Sequence, residues 1–180
     1  MARAAQPTRT TPQLTKALLT TTVVATVAGV VGFTQARQSS AIDPQLAAGY
    51  LWFYSGLFLA RVAGQLVART RRPTWLPPDE EWNLTPYRLL LPVQLAILAL
   101  MVWIDVDLSR GSGFWATPKP DFGQAVLWFA YAYAAAMLVR YLVRMRRRPE
   151  QRWFGGAIPI VFHWVLASYL YVLGSFHASY

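Results

Sequence analysis

The sequence contains no cysteine, only two histidines and few charged residues. Without cysteine there is no disulfide bond, no thiolate metal ligand and no cysteine nucleophile. Charged residues make up 14% of the 180 positions and hydrophobic residues 55%, whereas an average soluble domain has about 25% charged residues. This composition excludes a disordered chain, a collagen-like chain and a disulfide-built secreted scaffold, and it indicates an integral membrane protein.

Motifs of several well-known chemistries are also missing. The sequence has no glycine-rich phosphate loop, no H-E-x-x-H zinc motif and no nucleophile elbow. It has no internal repeat and no pair of short, broken apolar segments of the kind found in inverted-repeat transporters. The sequence therefore predicts no particular reaction.

Five apolar windows are long enough to cross a membrane, because a bilayer core about 30 Å thick needs roughly 20 apolar residues per helix. They cover about residues 17–36, 46–67, 89–104, 122–143 and 156–176. We predict an all-α polytopic integral membrane helix bundle with five transmembrane helices, in which residues 1–16 form a basic cytoplasmic tail and residues 17–180 a single helical domain. A basic stretch before an apolar one is also typical of a secretory signal, and four helices remain if the first is cleaved.

The distribution of lysine and arginine predicts the orientation. Thirteen basic residues lie before the first window, between the second and third, or from the end of the fourth to the fifth, whereas Arg37, Arg110 and Lys119 lie on the other side. Since basic residues are retained on the cytoplasmic side of short loops, we expect a cytoplasmic N-terminus and an external C-terminus. The alanine- and arginine-rich, lysine-poor composition is compatible with a bacterial inner membrane.

One basic stretch has a second interpretation besides topology. Anionic lipid headgroups attract arginines near a membrane surface, and the candidate headgroup ligands are Arg144, Arg146, Arg147, Arg148 and Arg152. Nucleic-acid binding is not expected, because no recognition fold is present to display these residues.

Small residues recur on one face of several predicted helices, and such faces allow close helix packing in lipid. They are Ala25, Ala28, Gly29, Gly32 and Ala36 in the first helix, and Gly49, Gly56, Ala60 and Gly64 in the second. The stripe on the fifth helix consists of Gly156, Pro159, Ile160, His163, Ala167, Leu170, Gly174 and His177. We expect these faces to contact protein, either within the bundle or in a partner subunit or second copy.

Polar residues at membrane depth form the candidate ligand site, because they are costly in hydrocarbon and tend to face a protein interior. The candidates are Arg61, Gln65, Gln94, Arg140 and His163. Converging side chains would form a basic pocket suited to an anionic headgroup, a phosphate or a quinone carbonyl. In the alternative, the arginines extend to the interface and the glutamines bond to neighbouring helices.

Haem and metal binding receive little support. A buried imidazole can ligate haem, but His163 and His177 are about 21 Å apart at 1.5 Å per residue and cannot share an iron. The acidic residues Asp79, Glu80 and Glu81 form one short cluster, whereas Asp105 and Asp107 are expected to close the third helix and stay in water. No metal and no cofactor is predicted, and a haem or a quinone stays an alternative.

Two functions remain open. The first is an accessory, assembly or interaction subunit without a catalytic role, whose partners are the lipid bilayer and other membrane subunits or the protein itself. The alternative is a membrane-embedded enzyme or redox subunit that binds a lipid-, quinone- or haem-like ligand around His163 and Arg61. A channel or transporter is less supported, because the sequence lacks polar residues along a pore.

Overall fold

Five α-helices make up the part of the chain that the computed structural model describes, residues 12–37, 42–71, 87–147 and 157–180. They are α1 (Pro12–Ala36), α2 (Pro44–Arg71), α3 (Tyr87–Arg110), α4 (Pro120–Arg147) and α5 (Ile158–Ala178). By length and composition, all five can cross a membrane. The prediction of an all-α chain with five transmembrane-length helices is confirmed.

Most helix starts follow from local sequence. Proline is the first residue of α1, α2 and α4. It has no backbone N–H, which costs nothing there because N–H groups in the first turn of a helix have no intrahelical acceptor. The Asp43 carboxylate accepts a hydrogen bond of 2.8 Å from the backbone N–H of Gln45 and so caps α2. The largest difference from the predicted boundaries is at α3, which runs to Arg110 and not to residue 104, because its two aspartates lie within the helix.

Glycine, not aspartate, ends α3. Gly111 has a φ of 61°, a left-handed conformation common just past a helix end, and its N–H donates to the Leu108 carbonyl at 3.1 Å. Gly113 has a φ of 107°, and a Cβ there would lie 2.5 Å from the carboxyl carbon of Asp107. This carboxylate accepts a bond of 3.2 Å from the Trp115 N–H, so half-buried Asp107 holds the α3–α4 loop.

The last helix is the centre of the bundle. α5 packs against α1, α2 and α4. Its contact with α4 depends on glycine, because a Cβ on Gly174 would lie 2.9 Å from the Leu127 nitrogen and one on Gly123 would collide with the Ala178 nitrogen. The predicted α5 stripe is buried at Pro159, Ile160, Ala167, Gly174 and His177 and half-buried at His163 and Leu170, and Gly156 is outside the described residues.

α2 and α3 form an antiparallel pair. Polar bonds link them at three levels: Trp52 to Ser109, Ser55 to Asp105, and Gln65 to Gln94. From one bond to the next, the residue number rises along α2 and falls along α3. The three bonds therefore fix one alignment of α3 along α2. The end of the bundle at which α2 and α4 finish carries Arg69, Arg71, Arg144, Arg146 and Arg147 and is here called the basic end.

Candidate functional site

Three of the five predicted ligand-site residues meet inside the bundle, and together they are here called the Gln cluster: Arg61, Gln65 and Gln94. A guanidinium N–H of Arg61 donates to Gln65 Oε1 at 3.2 Å. The Gln94 amide donates to the same oxygen, also at 3.2 Å. All three side chains are at most 5% exposed, so Arg61 does not extend to the interface; its guanidinium carbon lies 5.6 Å from the centre of the Phe162 ring on α5.

The chemistry of arginine fixes the orientation of both amides. A guanidinium can only donate, so the Gln65 atom that faces Arg61 must be the oxygen. Because this oxygen also faces Gln94, Gln94 must present its NH₂ group. What remains is one donor atom, Gln65 Nε2, which carries two N–H bonds, and one acceptor atom, Gln94 Oε1, both buried and without a hydrogen-bond partner among the described residues.

The other two predicted residues lie differently. His163 is half-buried; its Nδ1 contacts the Pro159 carbonyl of the preceding turn, and its ring packs edge-on against Tyr133 with centroids 5.8 Å apart. Arg140 is exposed on α4, so its side chain is outside the buried cluster that the sequence analysis expected it to join.

A second buried polar group, here called the Asp cluster, was missed by sequence reasoning: Ser55, Asp105 and Tyr169. The Ser55 hydroxyl donates to Asp105 Oδ2 at 2.6 Å, and the Tyr169 hydroxyl donates to Oδ1 at 3.0 Å. Asp105 is 0% exposed. The expectation that it stays in water is therefore wrong, because α3 continues past it and turns it towards α2 and α5.

The Asp cluster joins three helices at a different level of the bundle. Ser55 lies ten residues before Gln65 on α2, which is about 15 Å along the helix axis. Phe58 and Val62, both buried, lie on the same face between them. The two clusters are thus separate polar layers with an apolar layer between them. Gly111 is the sequence signal that could have placed Asp105 inside α3, because glycine is common just past the end of a helix and Gly111 comes six residues after Asp105.

His177 lies at the end of the bundle opposite the basic end. It is 0% exposed, and its ring centroid is 5.0 Å from that of Phe176, 5.3 Å from that of Phe122 and 6.5 Å from that of Trp115. Neither ring nitrogen has a hydrogen-bond partner in the described part of the chain. The His177 ring is thus packed among aromatic side chains.

Of the candidate headgroup ligands and the acidic cluster named in the sequence analysis, only part lies within the residues that the structure describes. Arg146 and Arg147 are exposed and Arg144 is half-buried in the last turns of α4, whereas Arg148, Arg152 and the acidic residues Asp79, Glu80 and Glu81 lie outside the described residues. Among the residues that are described, no group of three or more His, Cys, Asp or Glu side chains is arranged to hold a metal ion.

The small-residue face of α2 is on the outside of the bundle, not at an internal contact. Gly49, Gly56 and Ala60 are exposed and Gly64 is half-buried. A Cβ added to Gly49 or Gly56 would meet nothing within 4 Å. Of the two contacts expected for this face, the one within the bundle is not formed among the described residues, because α2 turns its polar face, with Ser55, Arg61 and Gln65, towards the other helices.

A groove beside this face is also lined by small residues. It has a volume of about 600 Å³ and runs between α1 and α2. Ala25, Ala28 and Gly29 form its α1 side, and Gly49 and Phe53 contribute from α2. α1 and α2 meet at the edge of the groove, where the Tyr54 hydroxyl donates to the Thr26 carbonyl at 3.1 Å. Two helices therefore present small residues to the same open space.

No protein-family model matches this chain, and no curated protein and no solved structure matches it either. Function is therefore inferred from the residues of this chain alone.

Proposed function

We propose that the protein is a membrane interaction subunit that holds a transmembrane helix of a partner against the outer face of α2. The observation that carries this proposal is the exposed line of small residues at Gly49, Gly56 and Ala63, one heptad apart. A spacing of seven keeps residues on one seam of two supercoiled helices. Small residues let helix backbones approach closely, which is a main source of helix association in lipid.

Large side chains border this line and give it the shape of a groove. Trp52, Leu59 and Leu66 are all more than 40% exposed along one side, and Phe53 is 40% exposed on the other. A partner helix that lay over the glycines would pack between these side chains. The α1–α2 groove extends the same apolar surface.

We further propose that the protein spans the bacterial inner membrane with its N-terminus in the cytoplasm and its C-terminus outside. The arginines at the basic end support this orientation, because positive charge is retained on the cytoplasmic side. The partner helix would then cross the same bilayer beside α2.

The proposal is tested in native membranes with a photo-crosslinking amino acid in place of Leu59, which is 51% exposed beside the line of Gly49, Gly56 and Ala63. The matched probe position is Val139, which is 59% exposed on α4. We expect Leu59 to give a discrete protein adduct and Val139 to give none. An adduct of twice the chain mass identifies a second copy as the partner, and another mass identifies a different protein.

Two leucine substitutions make the test specific. Gly56→Leu fills open space and should abolish the adduct without unfolding the bundle. Ala136→Leu, at an exposed position of α4, should leave it unchanged. Crosslinking of Leu59 to lipid only, or an adduct that Gly56→Leu leaves intact, would show that this face binds no helix.

A further inference from the structure

The Gln cluster has one donor atom and one acceptor atom without a partner among the described residues, and they belong to two side chains that are hydrogen-bonded to each other. Gln65 and Gln94 are 1% and 3% exposed, and the orientation of their amides is fixed by the donor-only guanidinium of Arg61. Gln65 Nε2 and Gln94 Oε1 lack partners among the described residues. Buried polar atoms of native proteins are nearly always paired, by protein or by a held guest molecule.

The pairing requirement limits the chemistry of such a guest. A carbonyl, a quinone oxygen or a fully ionised phosphate can accept from Gln65 but cannot donate to Gln94. An ammonium group can donate but cannot accept. A hydroxyl group has one donor and two acceptor lone pairs, so a hydroxyl carries both the acceptor that Gln65 Nε2 needs and the donor that Gln94 Oε1 needs.

We propose that the Gln cluster binds a hydroxyl group, which accepts a hydrogen bond from Gln65 Nε2 and donates one to Gln94 Oε1. The hydroxyl belongs to a held water or to a membrane-soluble alcohol such as a quinol. The Phe162 ring and the buried Arg61 border the site. If the guest is redox-active, the site therefore selects its reduced, hydroxyl form over its carbonyl form. This inference is independent of the partner helix proposed for α2.

The test is an NMR measurement on the full chain, deuterated and labelled with ¹⁵N in glutamine side chains, in lipid nanodiscs. We expect the Gln65 NH₂ signal to show a cross-peak either to a water held for longer than a nanosecond or to protons of a copurified lipid alcohol. The exposed Gln124 on α4 is the internal control and should show only fast exchange with bulk water. Cross-peaks from Gln65 to protein protons alone would overturn the proposal.

Titration with decylubiquinol and decylubiquinone separates the two sources of the hydroxyl. If the guest is water, neither compound changes the Gln65 cross-peak. If the guest is a quinol, decylubiquinol replaces the cross-peak at a concentration at least about tenfold lower than decylubiquinone does, a difference of about 1.4 kcal/mol. Equal displacement by both compounds would overturn the proposal, because the site would then not require a hydroxyl donor.

A variant checks the acceptor directly. Gln94→Met removes the acceptor and should abolish the guest cross-peak of Gln65, whereas Gln124→Met should leave it intact. If the Gln94→Met variant folds and the Gln65 NH₂ signal still shows a cross-peak to the bound water or alcohol, Gln94 does not accept a hydrogen bond from that hydroxyl, and the proposal is overturned. The wild-type measurement stands by itself if this variant does not fold.

Discussion

The Asp cluster and the Gln cluster both lie where α2, α3 and α5 meet, but they differ in how completely their polar atoms are paired. In the Asp cluster, each carboxylate oxygen of Asp105 accepts a hydrogen bond from a hydroxyl. In the Gln cluster, one oxygen accepts two bonds, while a donor and an acceptor have no partner among the described residues.

This difference suggests different roles for the two groups. A saturated network fixes the relative positions of the helices that supply it, because each helix contributes an obligatory partner. A network with spare donors and acceptors contributes less to stability but can recognise a guest. The Asp cluster is therefore expected to stabilise the bundle, and the Gln cluster is the better candidate for binding.

The largest expected effect is on the Asp cluster. Asp105→Ala removes the acceptor of both hydroxyls, and hydrogen bonds to a charged group are worth about 1.5–3 kcal/mol each. Because the Tyr169 hydroxyl also lies 3.2 Å from the Met101 carbonyl, it keeps an acceptor. We expect the free energy of unfolding, measured in lipid by steric trapping, to fall by about 3 kcal/mol.

Asp121→Ala is the matched control for this substitution. Asp121 is exposed in the first turn of α4, where an acidic residue is worth about 0.3–1 kcal/mol through the helix dipole. If Asp105→Ala and Asp121→Ala lowered the free energy of unfolding equally, the buried carboxylate would not be stabilising the packing of the helices.

The Asp cluster also shows why part of the site could not be predicted from the sequence. An aspartate after an apolar window is typical of a helix end, and Asp105 follows such a window directly. Its burial depends on Ser55 and Tyr169, which are 50 and 64 residues away in the chain. Only the packing of three helices brings these hydroxyls to one carboxylate.

Other features were accessible from local pattern. Apolar windows were sufficient to predict five helices, because the bilayer requires length and apolarity whatever the tertiary contacts are. Both interpretations of Gln65 and Gln94 placed these side chains against protein, because polar residues avoid lipid, but neither predicted that the two amides bond to each other. The sequence did not predict that Gly49 and Gly56 face outward. A small-residue face indicates helix packing but does not show whether the packed helix belongs to the same chain.

A smaller effect is expected in double-mutant cycles, which measure each contact separately from the cost of its deletion. We expect Asp105→Ala and Tyr169→Phe to be coupled by about 1 kcal/mol or more. Gln65→Leu and Gln94→Leu should be coupled by about 0.6 kcal/mol, the average for hydrogen bonds between membrane helices. The same unfolding assay measures both cycles, and stronger coupling in the glutamine pair would reverse the comparison.

The smallest effect is expected for Gln94→Leu alone. This substitution removes one donated hydrogen bond of 3.2 Å and the bond that Gln94 Oε1 is proposed to accept from a hydroxyl, which is destabilising, but it also removes the desolvation cost of a buried amide, which is stabilising. Because the two contributions oppose each other, the free energy of unfolding should change by less than about 1 kcal/mol. A loss as large as that of Asp105→Ala would show that the Gln cluster holds the helices as strongly as the Asp cluster does, which would contradict the comparison.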